Sequence, residues 1–129
     1  MLQFHGGEPP EFCAQFGLKT MKAFRVSDEA SLAELPKYST NAYLLDACSP
    51  KALGGTGETF NWKLAVEAQK FGKPIFLAGG LTPENVADAV RKIRPFGVDV
   101  ASGVESAPGN KDHAKMRAFV QAVRDANNA

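Results

Sequence analysis

Cysteine is scarce in this chain: Cys13 and Cys48 are the two thiols in 129 residues. Two cysteines at that separation make neither a disulfide framework nor a metal-binding spacing, so a reducing compartment is the default. Charge of one sign is lacking as well, since 15 Lys and Arg stand against 14 Asp and Glu. With no basic face and no interleaved aromatics, nucleic acid is not an expected partner. Long apolar runs are missing, and the opening Met1-Leu-Gln-Phe-His5 reads as a strand rather than a leader. A soluble, cytoplasmic protein with no membrane partner is the expectation. The Gly54-Gly-Thr-Gly57 run lacks the Lys-Ser/Thr that would make it a nucleotide-binding loop.

What is present is the composition of one ordinary globular domain covering residues 1–129. An apolar fraction of 44% is close to the soluble average, which sets disorder aside. Five short apolar segments read as strands: 1–5, 20–26, 42–46, 74–78 and 97–101. Amphipathic or capped stretches follow them. The first opens at Glu8-Pro-Pro-Glu and carries Phe12, Cys13 and Phe16 up to Gly17. A short one begins at Ser27-Asp-Glu29, with Leu32 and Leu35 inward and Pro36 near its end. Asn61 is placed to cap a third helix starting near Trp62, whose apolar face would be Leu64, Ala65, Ala68 and Phe71. Thr82-Pro83-Glu84 starts a fourth, with Val86, Ala89, Val90 and Ile93 as its stripe. The last runs from about Lys111 to Ala126 and would bury Met116, Phe119, Val120 and Val123. Such alternation predicts an α/β fold with a parallel sheet and right-handed crossovers, either doubly wound and open or a barrel.

In both architectures function gathers at the carboxyl ends of the strands. Those ends carry Gln3 and His5, Arg25, Asp46, Gly79-Gly80 and Ser102-Gly103, whereas the opposite loops look merely connective. Glycine lets backbone N–H groups approach an anion, and a helix N-terminus adds a favourable dipole. Any one glycine pair could simply make a tight turn; two pairs plus the run at 54–57 point to phosphate. Asp46 ends a buried strand, and its charge serves either as a cap or ion-pair partner or as a catalytic group. Asp99 lies between Val98 and Val100, so its side chain leaves the strand on the opposite face and is expected to be directed at a site. His5 is either a plain hydrogen-bonding strand end or a site residue, and Arg25 binds either an acidic substrate group or a protein carboxylate. Cys13 reads as core, and Cys48, two residues after Asp46, is not expected to be catalytic.

Leu2-Gln-Phe-His-Gly6, Leu44-Leu-Asp46, Gly54-Gly-Thr-Gly57, the segment 77–86, the segment 97–105 and Pro108-Gly-Asn-Lys-Asp112 form, in that order, a series that resembles phosphoribosylanthranilate isomerase. The resemblance spans essentially the whole chain. It implies a (β/α) barrel of the TIM type, here as about five consecutive βα units corresponding to strands four to eight. It also implies an Amadori rearrangement in tryptophan biosynthesis, on a phosphorylated small-molecule substrate and without metal or cofactor. Asp46 would be the general acid that opens the sugar ring, a task suited to a carboxyl group on a dry rim. Gly55, Gly79, Gly80, Ser102 and Gly103 would bind phosphate, and His5 and Asp99 would line the sugar and anthranilate end, with Arg25 beside them. The family's first-strand cysteine base and second-strand arginine have no counterpart here. The chain alone is therefore expected to be inactive, and its open sheet edges to drive self-association. Two other readings stay open: a non-catalytic phosphate-binding half-barrel that awaits a partner, and another ribulose-phosphate-binding barrel enzyme.

Overall fold

The structure is a computed structural model that describes residues 1–46 and 57–129, with the side chains of 57–61 outside the description. Five strands, β1 (Leu2–Phe4), β2 (Thr20–Arg25), β3 (Ala42–Asp46), β4 (Ile75–Ala78) and β5 (Gly97–Val98), form one sheet in the order β1-β2-β3-β4-β5. Every pairing is parallel. A sheet whose spatial order equals its chain order is a barrel wall; a doubly wound sheet would reverse direction at a switch point. The choice left open by βα alternation is thereby settled in favour of the barrel that the resemblance implies.

Between the strands run α1 (Pro10–Cys13), α2 (Glu29–Leu32), α3 (Gly57–Ala68) and α4 (Val86–Ile93). The chain then forms a small antiparallel hairpin of β6 (Glu105–Ala107) and β7 (Asn110–Lys111), and ends in α5 (His113–Asn128). Strand side chains divide by parity. Tyr43, Leu45, Ile75 and Leu77 point outward and join Leu64, Ala68, Val86, Val90, Ile93 and Phe119 in the main core under the helices. Met21, Ala42, Leu44 and Ala78 point to the other, concave face and form a smaller cluster with Ala23 and Phe76. Burial on both faces explains why the strands read as continuous apolar runs.

Several helix boundaries differ from expectation, each for a local reason. α1 is a single turn after Pro9, and Phe12 and Phe16 instead stack on Phe4 at 6.0 and 5.5 Å. α2 also lasts one turn, held by a reciprocal Asp28–Ser31 capping box, before a 3₁₀ turn at Leu35–Lys37 that contains Pro36. α3 begins at Gly57, so Asn61 lies inside it rather than capping it, and Phe71 falls in the 3₁₀ turn that follows, partly exposed. Regular β5 stops at Val98, although the Asp99 N–H still donates to the Leu77 carbonyl at 2.8 Å. The hairpin takes the residues assigned to the start of the last helix, and Asp112 caps α5 by accepting from the Lys115 N–H at 3.0 Å.

α5 is also rotated relative to its expected face. Phe119 and Ala126 are buried and Ala122 and Val123 pack against the core, whereas Met116 and Val120 are 43% and 47% exposed. The spacing 119, 122, 123, 126 is one helical stripe, and starting the helix at His113 sets its phase. Phe119→Ala is accordingly expected to lower unfolding free energy by about 3–5 kcal/mol. Val120→Ala should stay within about 0.5 kcal/mol. Urea unfolding midpoints of the two variants test this rotation, and equal losses would refute it.

Candidate active site

Parity along the strands builds the site. Gln3 and His5, Ala23 and Arg25, Leu44 and Asp46, Phe76 and Ala78, and Gly97 and Asp99 alternate onto the concave face. Met21 pairs with Ala42, Leu44 with Phe76, and Arg25 with Asp46, which in turn pairs with Ala78. Arg25 and Asp46 therefore leave adjacent strands side by side at the same height. The Val26 N–H donates to the Asp46 carbonyl at 3.1 Å, so the ladder fixes the backbone from which this carboxyl group projects.

A cleft of about 360 Å³ opens at the carboxyl ends of the strands. Its wall brings together His5, Arg25, Asp46, Gly79, Gly80, Asp99, Ser102 and Gly103, with Leu44 and Ala23 on its floor. Eight of the nine residues expected at the site thus share one cavity; Gly55, with Cys48, lies outside the described residues. Asp99 is exposed, opposite in direction to Val98 and Val100, which pack on the core, as its parity required. Cys13 is 2% exposed and burial pushes its thiol up, which fits a core residue. Among the described residues, no group of three or more His, Cys, Asp and Glu is arranged to hold a metal ion.

The glycine turns are built differently from expectation. Gly79 and Gly80 have φ of 88° and 65°, a conformation other residues rarely adopt. The Asn85 amide closes this turn: its Nδ2 donates to the Gly80 carbonyl at 2.9 Å and its Oδ1 accepts from the Thr82 N–H at 2.8 Å. α4 begins only at Val86, so no helix N-terminus abuts Gly80. Likewise, Ser102 and Gly103 open a three-residue 3₁₀ turn instead of a helix. A Cβ on Gly103 would sit 1.9 Å from the Leu81 carbonyl oxygen, so the two glycine turns pack backbone on backbone. Any anion held here would be held by loop N–H groups, in the manner of a nest, and not by a helix dipole.

Two groups that stabilise the rim were not recognised from sequence. Asn85 is one. The other is Lys111, whose Nζ donates to the Ala101 carbonyl at 2.9 Å and pairs with Glu105 at 2.7 Å, tying the hairpin to the residue before Ser102. The Lys111 ammonium, hydrogen-bonded to Glu105, holds that carboxyl below the ordinary value of 4.5. A residue one turn or one hairpin away from a loop leaves no periodic signal, and only pairing in space reveals it.

The N-(5'phosphoribosyl)anthranilate (PRA) isomerase family model matches residues 1–122. The N-(5'-phosphoribosyl)anthranilate isomerase of Geotalea uraniireducens is 56% identical over 124 residues, covering 96% of this chain and 61% of that protein. A crystal structure of phosphoribosyl anthranilate isomerase from Thermotoga maritima superposes with a TM-score of 0.83 at 39% identity, over 95% of this chain and 60% of that one. Another, in complex with reduced 1-(o-carboxyphenylamino)-1-deoxyribulose 5-phosphate, gives 0.80 at 34% identity, over 95% and 58%. This chain spans about three fifths of the length of the relatives it matches.

Two outcomes are expected of the rim. Gly103→Ala should cost about 1–3 kcal/mol, because the added methyl meets backbone that cannot rotate away; an unchanged urea midpoint would show that the turn can shift. For Glu105 the folded-state pKa is the depressed one, so its contribution to stability is complete above 4.5 and fades as pH falls below it. Lys111→Met should therefore flatten the loss of stability between about pH 5 and about pH 3. Denaturation curves across that range would show a slope identical to wild type if the pair contributes nothing.

Proposed function

This chain belongs to the N-(5'-phosphoribosyl)anthranilate isomerase family, and on that premise we propose that its concave rim carries the acid and phosphate-binding groups of that isomerisation in tryptophan biosynthesis. The observation that supports this best is convergence: two carboxyl groups, Asp46 and Asp99, one guanidinium and two glycine turns face a single cleft. Asp46 is the general acid that protonates the furanose ring oxygen, breaking the ring C–O bond to leave an iminium. Removal of the C2 proton gives an enolamine, which tautomerises to the ketone. Protons move and no electrons are lost, so the reaction itself asks for no redox cofactor.

Gly79, Gly80, Ser102 and Gly103 bind the phosphate of the phosphorylated substrate, joined in this reading by Gly55. His5 and Asp99 line the sugar and anthranilate end, and Arg25 offers a cation beside Asp46. No residue is assigned as the base at C2. The comparisons lend no support to the expectation that this polypeptide is inactive by itself, and a direct assay decides that point. Residues 1–129 are read as one partial (β/α) barrel domain of a cytoplasmic enzyme; among the described residues no helix is long and apolar enough to cross a membrane.

Self-association belongs to the same reading. β1 and β5 end the sheet, with Met1, Phe12 and Phe16 exposed near one end and Phe96, 73% exposed, at the other. Unpaired edges with apolar neighbours favour pairing with another chain. Sedimentation velocity should show a dimer or larger species, and a concentration-independent monomer would overturn this part.

Loss of N-(5'-phosphoribosyl)anthranilate is read by its anthranilate fluorescence as the isomerisation proceeds. If the chain turns over N-(5'-phosphoribosyl)anthranilate, Asp46→Asn should slow it by about 10²- to 10⁴-fold, and a variant as fast as wild type would remove Asp46 from the mechanism. If the chain does not turn over, binding of the reduced product analogue, weakened by Gly80→Val, is the expected result. Failure of both turnover and binding would overturn the proposal.

A further inference from the structure

Lys22 is a charged residue placed where the sheet is otherwise apolar. It lies in β2 opposite Phe4, on the helix-facing side, with its side chain 5% exposed. Its Nζ donates to the Gly6 carbonyl at 2.8 Å and to the Ala23 carbonyl at 3.2 Å, and stands 3.4 Å from the Glu8 carboxylate. The rings of Phe24 and Tyr38 each lie 5.6 Å from it. Glu8 in turn accepts from the Gly6 N–H through both carboxylate oxygens, at 3.0 and 3.2 Å. The Tyr38 hydroxyl donates to the Glu8 carbonyl at 2.9 Å.

Both the donor and the acceptor of Gly6 are therefore held by the two halves of one ion pair. Gly6 directly follows His5, which lines the cleft. Lys22 is buried while Glu8 keeps some contact with water; an ion pair that takes a charge out of water adds little net stability, and its better-attested use is to specify one arrangement over others. Here the arrangement specified is the path of the chain as it leaves β1 at the rim.

We propose that Lys22 and Glu8 are positioning residues for the sugar and anthranilate end of the cleft, holding the Gly6 peptide and through it His5 against the bound ligand. This rests on the reading of His5 as a ligand-lining residue. The glycine turns after β4 and β5 lie at the other end of the sheet and do not depend on this pair. Loss of the clamp should consequently weaken contacts to the sugar end and spare the phosphate end.

The test uses two probes on the full chain, reduced 1-(o-carboxyphenylamino)-1-deoxyribulose 5-phosphate and inorganic phosphate. Glu8→Gln, which keeps shape and one acceptor, is the principal variant, and Lys22→Met is the second, since a buried lysine position can fail to fold when altered. Analogue affinity should fall roughly tenfold, the scale expected when a site residue is misplaced from a distance. Phosphate affinity should stay within about twofold, and hydrogen exchange at the Gly6 amide should quicken. An unchanged analogue affinity in a variant with deprotected Gly6 overturns the proposal. A parallel fall for both probes also overturns it, because that is what general loosening of the fold would do. Should wild type bind neither probe, the functional reading fails separately, and the imidazole resonances of His5 decide the clamp: a shift in Glu8→Gln supports it and identity with wild type overturns it.

Discussion

Parallel register is the constraint on which the rest of this structure depends. Arg25, Asp46 and Ala78 are successive partners across β2, β3 and β4. Side chains alternate with a period of two, so slipping any strand by one residue would turn its rim group from the cleft into the helix layer. The outward set, Leu45 and Leu77 at 0% exposure among them, makes that slip costly. Burying each such side chain is worth about 1.5–3 kcal/mol. The chemistry of the concave face is thus positioned by the apolar packing of the convex one.

At the rim the ladder ends and other devices take over. On the β1 side an ion pair grips the Gly6 peptide, and on the β5 side a second lysine–glutamate pair, Lys111 with Glu105, grips the Ala101 carbonyl. Between them Asn85 bridges the turn that follows Gly80. Each device uses a side chain to satisfy backbone groups that have left the sheet and would otherwise turn to water. Gly103 adds a steric condition, since the Leu81 carbonyl occupies the space of its missing side chain. These glycines are required by packing and by backbone conformation whether or not an anion binds, and phosphate recognition would use a shape the fold already imposes.

Much of this was legible from residue order. Apolar runs bounded by glycine and polar residues located the five strands, and parity placed Asp99 away from Val98 and Val100. The rim residues were legible because they sit at strand ends, where an apolar run breaks into a charge or a glycine pair. The extents of helices were less legible. Met116 and Val120 are apolar and correctly spaced with Phe119, yet the hairpin before His113 resets the helix's phase and turns them outward. Asn61 has good capping chemistry, but α3 begins four residues earlier.

The sequence by itself determined the strand order's raw material, the parity of Arg25, Asp46 and Asp99, and the family to which the motif series points, because all of these are local or periodic properties. Periodicity could not separate a barrel wall from a doubly wound sheet, since both share the same βα alternation; the motif series pointed to the barrel, and the strand pairing of the tertiary structure decided it. It alone decided that the glycine turns rest on one another instead of on helix N-termini. It alone brought Lys22 and Glu8 onto one peptide from opposite sides, because an ion pair closed across 14 residues has no period to read.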